Sequence, residues 1–337
     1  MIRSRKGLAI LAIALIVSAM AGALIARFAL DRALGGFERI DGVFADLDEE
    51  SRPPGPPANT DDDAPTFFLI MGTDARAAGP TTGDSATASE GSARTDTIML
   101  ARVDGSSDRT HLVSIPRDSW VDVPGHGMNK INAAYAFGGP SLLIQTVEQL
   151  TGIRLDHFAI VDFFGFEAVT DALGGVTVTV PFDTTYHGRE FRAGPQRMDG
   201  EEALAYVRQR ENLPRGDFDR VQLQQSYLAG MLRSVKEDVS LIDFTTARRF
   251  IDAVQESVTL DDTLTTPRML QLAWQLRGID TSSLVFLTAP YSGTGFEGDQ
   301  SVVYFDLDAA NGLWTGLVEG TVDARLGDYQ QFLYTSN

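Results

Sequence analysis

RTDTIMLARVDGSSDRTHLVSIPRD, residues 94–118, is the stretch that decides the fold. Its apolar runs, TIMLARV and THLVSI, have the length and β-branched content of strands that need burial on both faces, and a polar turn joins them. Each run meets an Arg/Asp pair at one end. Arg94 and Asp96 open the first, and Arg117 and Asp118 close the second. Open α/β sheets hold their ligands at strand ends of this kind. A single such pair reads as a surface ion pair, but charged motifs downstream shift the balance.

Working outward, TFFLIM (66–71) is a buried-strand pattern that runs into Gly72, Thr73, Asp74 and Arg76. Residues 77–93 are a low-complexity loop. Downstream, SLLIQTVEQLTG places Leu143, Val147 and Leu150 on one helical face and stops at Gly152. HFAIVDF reads as a strand, EAVTDALGG as a short helix, and VTVTVPF as another strand. Asp199 and Glu202 form a capping box at the start of a helix that delivers Arg208, Gln209 and Arg210 at its far end. Asp217 opens a longer helix with an apolar side of Val221, Leu228, Leu232 and Val235, while Asp217, Arg220 and Gln224 share a different side. Two more helices, Ala247 to Val258 and Thr266 to Gly278, precede the strands SLVFLTAP and VVYFDLD. The β–α–β alternation predicts a three-layer α/β/α domain with a mixed, largely parallel central sheet.

The N-terminus has another character. After the basic head MIRSRKG, residues 1–7, an apolar run reaches Arg27. Its length, about 20 residues, suits a single bilayer crossing. Arg3, Arg5 and Lys6 put residue 1 in the cytoplasm and the rest outside, with 8–27 as a transmembrane signal-anchor in the cell membrane. A cleaved signal peptide, with Ala19 or Ala21 near the cut, is the alternative; the run is long for one. Residues 28–65, ending in SRPPGPPANTDDDAP, read as a flexible Pro/acidic stalk. The folded domain is then 66–325 and the C-terminal tail 326–337.

Composition narrows the chemistry. The chain has 337 residues, 43% of them hydrophobic, and a formal net charge of −18, which argues against a nucleic-acid partner. It has no cysteine, so thiol chemistry and Cys-based metal sites are excluded. Lysine occurs only at Lys6, Lys130 and Lys236, leaving 25 arginines of the 28 basic residues (28 − 3). Cationic work therefore falls to guanidinium groups, which grip phosphate bidentately.

The common motifs fail. No lysine follows the glycine that a Walker A loop needs, and no G-x-S-x-G elbow is present. Gly293, Gly295 and Gly298 match GxGxxG, but a strand follows where a helix should open. His111, His126, His157 and His187 lack metal-ligand spacing. What remains is a recurrence of Arg with Asp at element ends: Asp74, Arg94/Asp96, Arg117/Asp118, Arg208/Arg210 and Asp217/Arg220, with Lys130 in a loop between them. Converged, these groups suit phosphoryl transfer, because carboxylates can hold a divalent cation while arginines neutralise phosphate charge. Scattered, they are surface salt bridges worth little.

FLIMGTDAR, RTDTIMLARVD, VSIPRDSWV, MNKINAAYAFGG, YVRQR and GDFDR…QQ, in this order behind one apolar N-terminal run, resemble the LytR-CpsA-Psr family of cell-wall glycopolymer ligases from about Phe67 to Val235. The resemblance implies a magnesium-dependent (or manganese-dependent) phosphotransferase. Such an enzyme moves a teichoic, capsular or arabinogalactan-type polymer from a polyprenyl pyrophosphate carrier onto N-acetylmuramic acid of peptidoglycan. It implies Asp74 and Asp96 as metal ligands. Arg94, Arg117, Lys130, Arg208, Arg210, Arg220 and Gln224 would hold the pyrophosphate, with Arg94, Asp96, Arg117 and Asp118 at the catalytic centre. Asp118 and Asp217 could equally orient arginines. The chain departs from the family at Leu223, where members often carry Arg. Phe158, Phe163, Phe164, Phe166, Val169 and Leu173 are candidates to line a lipid-tail channel, with core packing as the ordinary account. A non-catalytic carrier binder, a polyprenyl pyrophosphatase and a membrane-bound transcriptional attenuator are the competing functions.

Overall fold

A computed structural model describes residues 35–55, 64–74, 94–104, 109–209, 213–239, 244–276 and 283–334. The expected membrane anchor 8–27, the low-complexity segment 77–93 and Arg210 lie outside the described residues. No helix among the described residues is long and apolar enough to cross a membrane.

In chain order the strands are β1 (Glu38–Ile40), β2 (Thr66–Asp74), β3 (Arg94–Val103), β4 (Thr110–Ile115), β5 (Trp120–Val123), β6 (Gly127–Lys130), β7 (His157–Asp162) and β8 (Val176–Val180). There follow β9 (Thr184–Tyr186), β10 (Arg189–Phe191), β11 (Gly194–Met198), β12 (Val258–Asp261), β13 (Leu284–Thr288), β14 (Tyr291–Glu297) and β15 (Gln300–Phe305). The helices are α1 (Ile131–Thr151), α2 (Phe163–Ala172), α3 (Gly200–Val207), α4 (Asp217–Val239), α5 (Phe244–Ser257), α6 (Thr266–Leu276) and α7 (Leu307–Glu319).

The two runs of residues 94–118 are β3 and β4, neighbours inside a seven-stranded sheet of order β1-β12-β7-β2-β3-β4-β13. The expected mixed sheet is found. Three of its pairings are parallel and three antiparallel, because β2, β3 and β4 form an antiparallel meander at its middle. The strand VTVTV does not join it. As β8 it pairs antiparallel with β11, burying Val176, Val178 and Val180 while the threonines between them stay half-exposed. That alternation belongs to a strand with one buried face, whereas the continuous burial of THLVSI belongs to a sheet covered on both sides.

On one face of the sheet, Leu69, Met71, Leu100, Val113 and Ile115 pack against Leu143 and Val147 of α1 and Leu313, Trp314 and Leu317 of α7. On the other, Met99, Ala101, Leu112 and Phe286 meet Leu228 and Leu232 of α4. These are the three expected layers. A separate cluster fills the space among β8, β11, α3 and α4, and Leu223 is fully buried there with Tyr206 and Tyr227. The family's usual arginine position is thus a core position in this chain.

Both expected domain limits move outward. Within the expected stalk, Glu38–Ile40 pairs in parallel with β12, Val43 enters the main core, and Phe44 stands 6.0 Å from the Phe158 ring. The sparse apolar residues Ile40, Val43, Phe44 and Leu47 are diluted by acidic neighbours, so composition alone hides them. At the other end, Tyr329 and Phe332 of the 3-10 helix Val322–Phe332 are core residues, within what read as a tail. The helix expected from Ser141 is present, and a further helical stretch from Ile131 precedes it within α1, separated by a kink at Gly138 and Gly139. Pro140 disfavours helical geometry in the residue before it, and Gly139 accepts φ of 62°.

His111 in β4 carries a pH dependence. Burial pushes its pKa below the ordinary histidine value, and Asp323, 3.2 Å from Nε2, opposes the shift without reversing it. The unfolded chain then holds the proton more tightly. Stability is therefore full above about pH 6.5 and falls as the pH drops towards the lower folded value. His111→Gln is expected to flatten the decline in urea midpoint between about pH 7 and pH 5.

Candidate active site

The site is assembled at the ends of β3 and β4 by three local devices. The first is a β-bulge. Gly72 pairs with Thr97 and Thr73 with Thr95, so Asp96 is the extra residue between them. Bulges re-aim side chains, and this one turns the Asp96 carboxylate to Arg117. The close approach requires glycine at 72, since a Cβ there would stand 2.9 Å from Thr97 Cβ.

The second device fixes the loop after β4. The first amides of α1, Ile131 N–H and Asn132 N–H, donate to the carbonyls of Ser119 (2.9 Å) and Arg117 (3.2 Å). Val303 N–H donates to the Asp118 carbonyl at 2.9 Å. The third is the docking of α4. Gln225 donates to Ser114 Oγ at 3.1 Å and to the Leu287 carbonyl at 2.9 Å, tying the helix to β4 and β13.

These devices bring six charges into one network. Arg117 Nη1 pairs with Asp96 Oδ1, and its Nε stands 3.7 Å from both Asp118 Oδ2 and Asp217 Oδ1. Lys130 Nζ lies 3.1 Å from Asp118 Oδ1. Arg220 Nη2 pairs with Asp217 Oδ1 at 2.7 Å and donates to the Asp96 carbonyl at 3.3 Å. Arg220 is only 2% exposed. Burial pulls the Arg117 pKa down, but the carboxylates of Asp96, Asp118 and Asp217 outweigh it and hold the group above the usual arginine value. It is permanently charged. Its Nε is buried and has no hydrogen-bond partner among the described residues.

Asp118 and Asp217, left open by the sequence, both make ion pairs with cations of the network. The backbones of Asp74 and Arg94 are directly paired at the same end of β2 and β3, and their side chains lie outside the described residues. Gln224 is half-buried one turn beyond Arg220, and Arg208 caps α3 at an exposed position near Glu167. Sequence reasoning missed Gln225. It sits four residues after Val221 and three before Leu228, on the apolar stripe of α4, and a polar residue there signals a buried hydrogen bond.

Of the six lipid-channel candidates, the four with described side chains divide between two core regions. Phe158 is buried in the main core, whereas Phe166 packs against the separate cluster that contains Leu173, 4.3 Å from the Tyr227 ring, and Val169 is buried in the helix that links them, α2. Packing explains these four. The side chains of Phe163 and Phe164 lie outside the described residues.

For a divalent cation, the donor chemistry fits in kind: carboxylate oxygens, on adjacent strands, suit a hard ion. Among the described residues, however, no three His, Asp or Glu side chains are grouped as ligands, and Asp96 Oδ1 is engaged by Arg117.

A layered α/β domain with an arginine–carboxylate network at its central strand ends defines the class. Residues 45–315 match the LytR_cpsA_psr family, and the chain belongs to it. It is 34% identical to the "Cell wall biosynthesis protein LcpA" of Corynebacterium glutamicum, over 73% of this chain and 54% of that protein. It is 36% identical to TagU of Bacillus subtilis, named a polyisoprenyl-teichoic acid–peptidoglycan teichoic acid transferase, over 59% of this chain and 61% of that one. The matches thus span little more than half of these relatives. The crystal structure of Bacillus subtilis TagV superposes with a TM-score of 0.61 at 27% identity, over 77% of this chain and 98% of that chain.

Proposed function

We propose that this protein is a membrane-anchored phosphotransferase that moves a glycopolymer from a polyprenyl pyrophosphate carrier onto peptidoglycan, on the outer side of the cell membrane. The observation that carries the reading is Arg117: a permanently charged fork between two strand ends, whose buried Nε has two carboxylates at 3.7 Å but no hydrogen bond to any described group. A buried donor of this kind is costly unless an acceptor arrives, and a phosphate oxygen is such an acceptor.

In the reaction, the acceptor hydroxyl oxygen attacks the sugar-linked phosphorus. A P–O bond forms, the P–O–P bridge breaks, polyprenyl phosphate leaves, and a carboxylate of the network takes the hydroxyl proton. Arg117 and Arg220 offset the charge that builds on the phosphate oxygens, and Lys130 and Asp217 keep the network aligned. The three described cations and three carboxylates cancel (3 − 3 = 0), so an added pyrophosphate needs further positive charge. Arg94, Arg208 and Arg210 supply part of it. Asp96 and Asp74 would hold a Mg²⁺ or Mn²⁺ ion, which would supply the rest by charge neutralisation.

The test incubates the protein with lipid-linked glycan, Mg²⁺ and peptidoglycan fragments and looks for a new phosphodiester. Product is expected with the wild type, and none after chelation or in Asp96→Ala. Tight carrier binding without turnover would instead make the protein a carrier binder. Unimpaired product from Asp96→Ala would remove the metal role.

A further inference from the structure

The β5–β6 ribbon leads from the charged network into a cavity of about 510 Å³ lined by Trp120, Asp122, Met128, Gln149, Tyr304 and Leu307, among others. Side chains alternate along a strand, so Trp120 and Asp122 of β5 share one face of the ribbon. Trp120 lies directly opposite Lys130, and Asp122 opposite Met128. One face of the ribbon therefore runs from Lys130, whose Nζ pairs with Asp118, to the wall of the cavity.

The far wall is held in place. Tyr304 donates to Glu297 Oε1 at 2.8 Å, and its ring lies across Gly295, where a Cβ would stand 2.6 Å from Cε2. This explains a glycine of the GxGxxG match that binds no dinucleotide. It leaves room for an aromatic platform. The backbone of Val303, next to Tyr304, is bonded to the Asp118 carbonyl, so both walls are registered to the charged network.

We propose that this cavity is the subsite for the acceptor glycan: it takes a pyranose ring of peptidoglycan against Trp120 and Tyr304, with Asp122 and Gln149 receiving its hydroxyl and acetamido groups. Aromatic walls with a few fixed polar groups suit a ring that is apolar on its faces and polar at its rim. The proposal rests on the phosphotransferase reading, since the acceptor must reach the phosphorus from beside the arginines.

The test uses the full chain in detergent, titrated calorimetrically with a peptidoglycan tetrasaccharide free of stem peptide and, separately, with inorganic pyrophosphate. The wild type is expected to bind both. Tyr304→Ala, and Leu307→Lys at a position 66% exposed, are expected to weaken the tetrasaccharide at least about ten-fold, and Tyr304→Phe to restore it within about three-fold, as a ring-stacking role requires. Melting curves identify any variant that has not folded. A wild type that binds pyrophosphate but no tetrasaccharide overturns the subsite alone. A wild type that binds neither overturns the phosphate reading with it. Variants that bind the tetrasaccharide normally, or that lose pyrophosphate instead, overturn the assignment to the acceptor.

Discussion

Arg117→Ala is expected to lower kcat/KM for glycopolymer transfer by about 10²–10³-fold, the loss typical of a preorganised donor aimed at developing charge. The substitution removes a cation shared by Asp96, Asp118 and Asp217. Three carboxylates would then face one another with only Arg220 and Lys130 between them, so phosphate binding and alignment fail together. Arg117→Lys separates charge from geometry. An ammonium restores the charge but lacks the planar fork that can hold Asp96 on one nitrogen and offer a separate nitrogen to phosphate, so activity is expected to stay at least about ten-fold below wild type although the fold is kept. Steady-state kinetics with lipid-linked donor, paired with melting curves, reads both. Wild-type activity in Arg117→Ala would show that the network is structural only.

Much of this site was legible because strand and helix periodicities place charges without reference to the rest of the fold. The Arg117/Asp118 pair follows an apolar run that could only be a buried strand. Asp217 and Arg220, three apart at a helix start, had to be neighbours, and they are. Position within an element was legible; departures from regularity were not. Asp96 reaches Arg117 through a bulge, and a bulge depends on pairing with another strand. Lys130 reaches Asp118 across a hairpin whose residues, WVDVPGHGMNK, carry little strand pattern beyond Trp120–Val123. The valine–threonine alternation of β8 marks one exposed face, which a strand buried between two helical layers cannot have, and β8 accordingly pairs with β11 outside the sheet. The aromatic cavity arises from four separated segments and has no signature along the chain.

The second large effect is on stability, and it concerns the segment that composition assigned to a stalk. Glu148→Ala is expected to destabilise the domain by about 3–5 kcal/mol, as when one member of a buried ion pair is removed. Both side chains are nearly inaccessible, at 6% for Arg52 and 1% for Glu148. Arg52 Nη2 donates to Glu148 Oε1 at 2.7 Å and to the Leu155 carbonyl at 2.8 Å, and its guanidinium lies 5.2 Å from the Phe44 ring centroid. Burial lowers the Arg52 pKa, but Glu148, with Glu49 and Asp156, more than reverses it, so the alanine variant leaves a charged group without its main partner. Glu148 Oε1 also accepts from Leu155 N–H at 2.9 Å, which adds an unmet backbone donor. With about 2–4 °C per kcal/mol at this size, the melting temperature should fall by roughly 10 °C. Arg52→Met combined with Glu148→Leu is expected to recover most of the loss, because the cost lies in the stranded charge more than in the missing attraction. An unchanged melting temperature in Glu148→Ala would mean that residues 38–55 do not stabilise the domain. A large drop repaired by the double variant would mean that the segment is an integral edge of the sheet, where the buried Arg52–Glu148 contact at the end of α1 adds to the β1–β12 pairing.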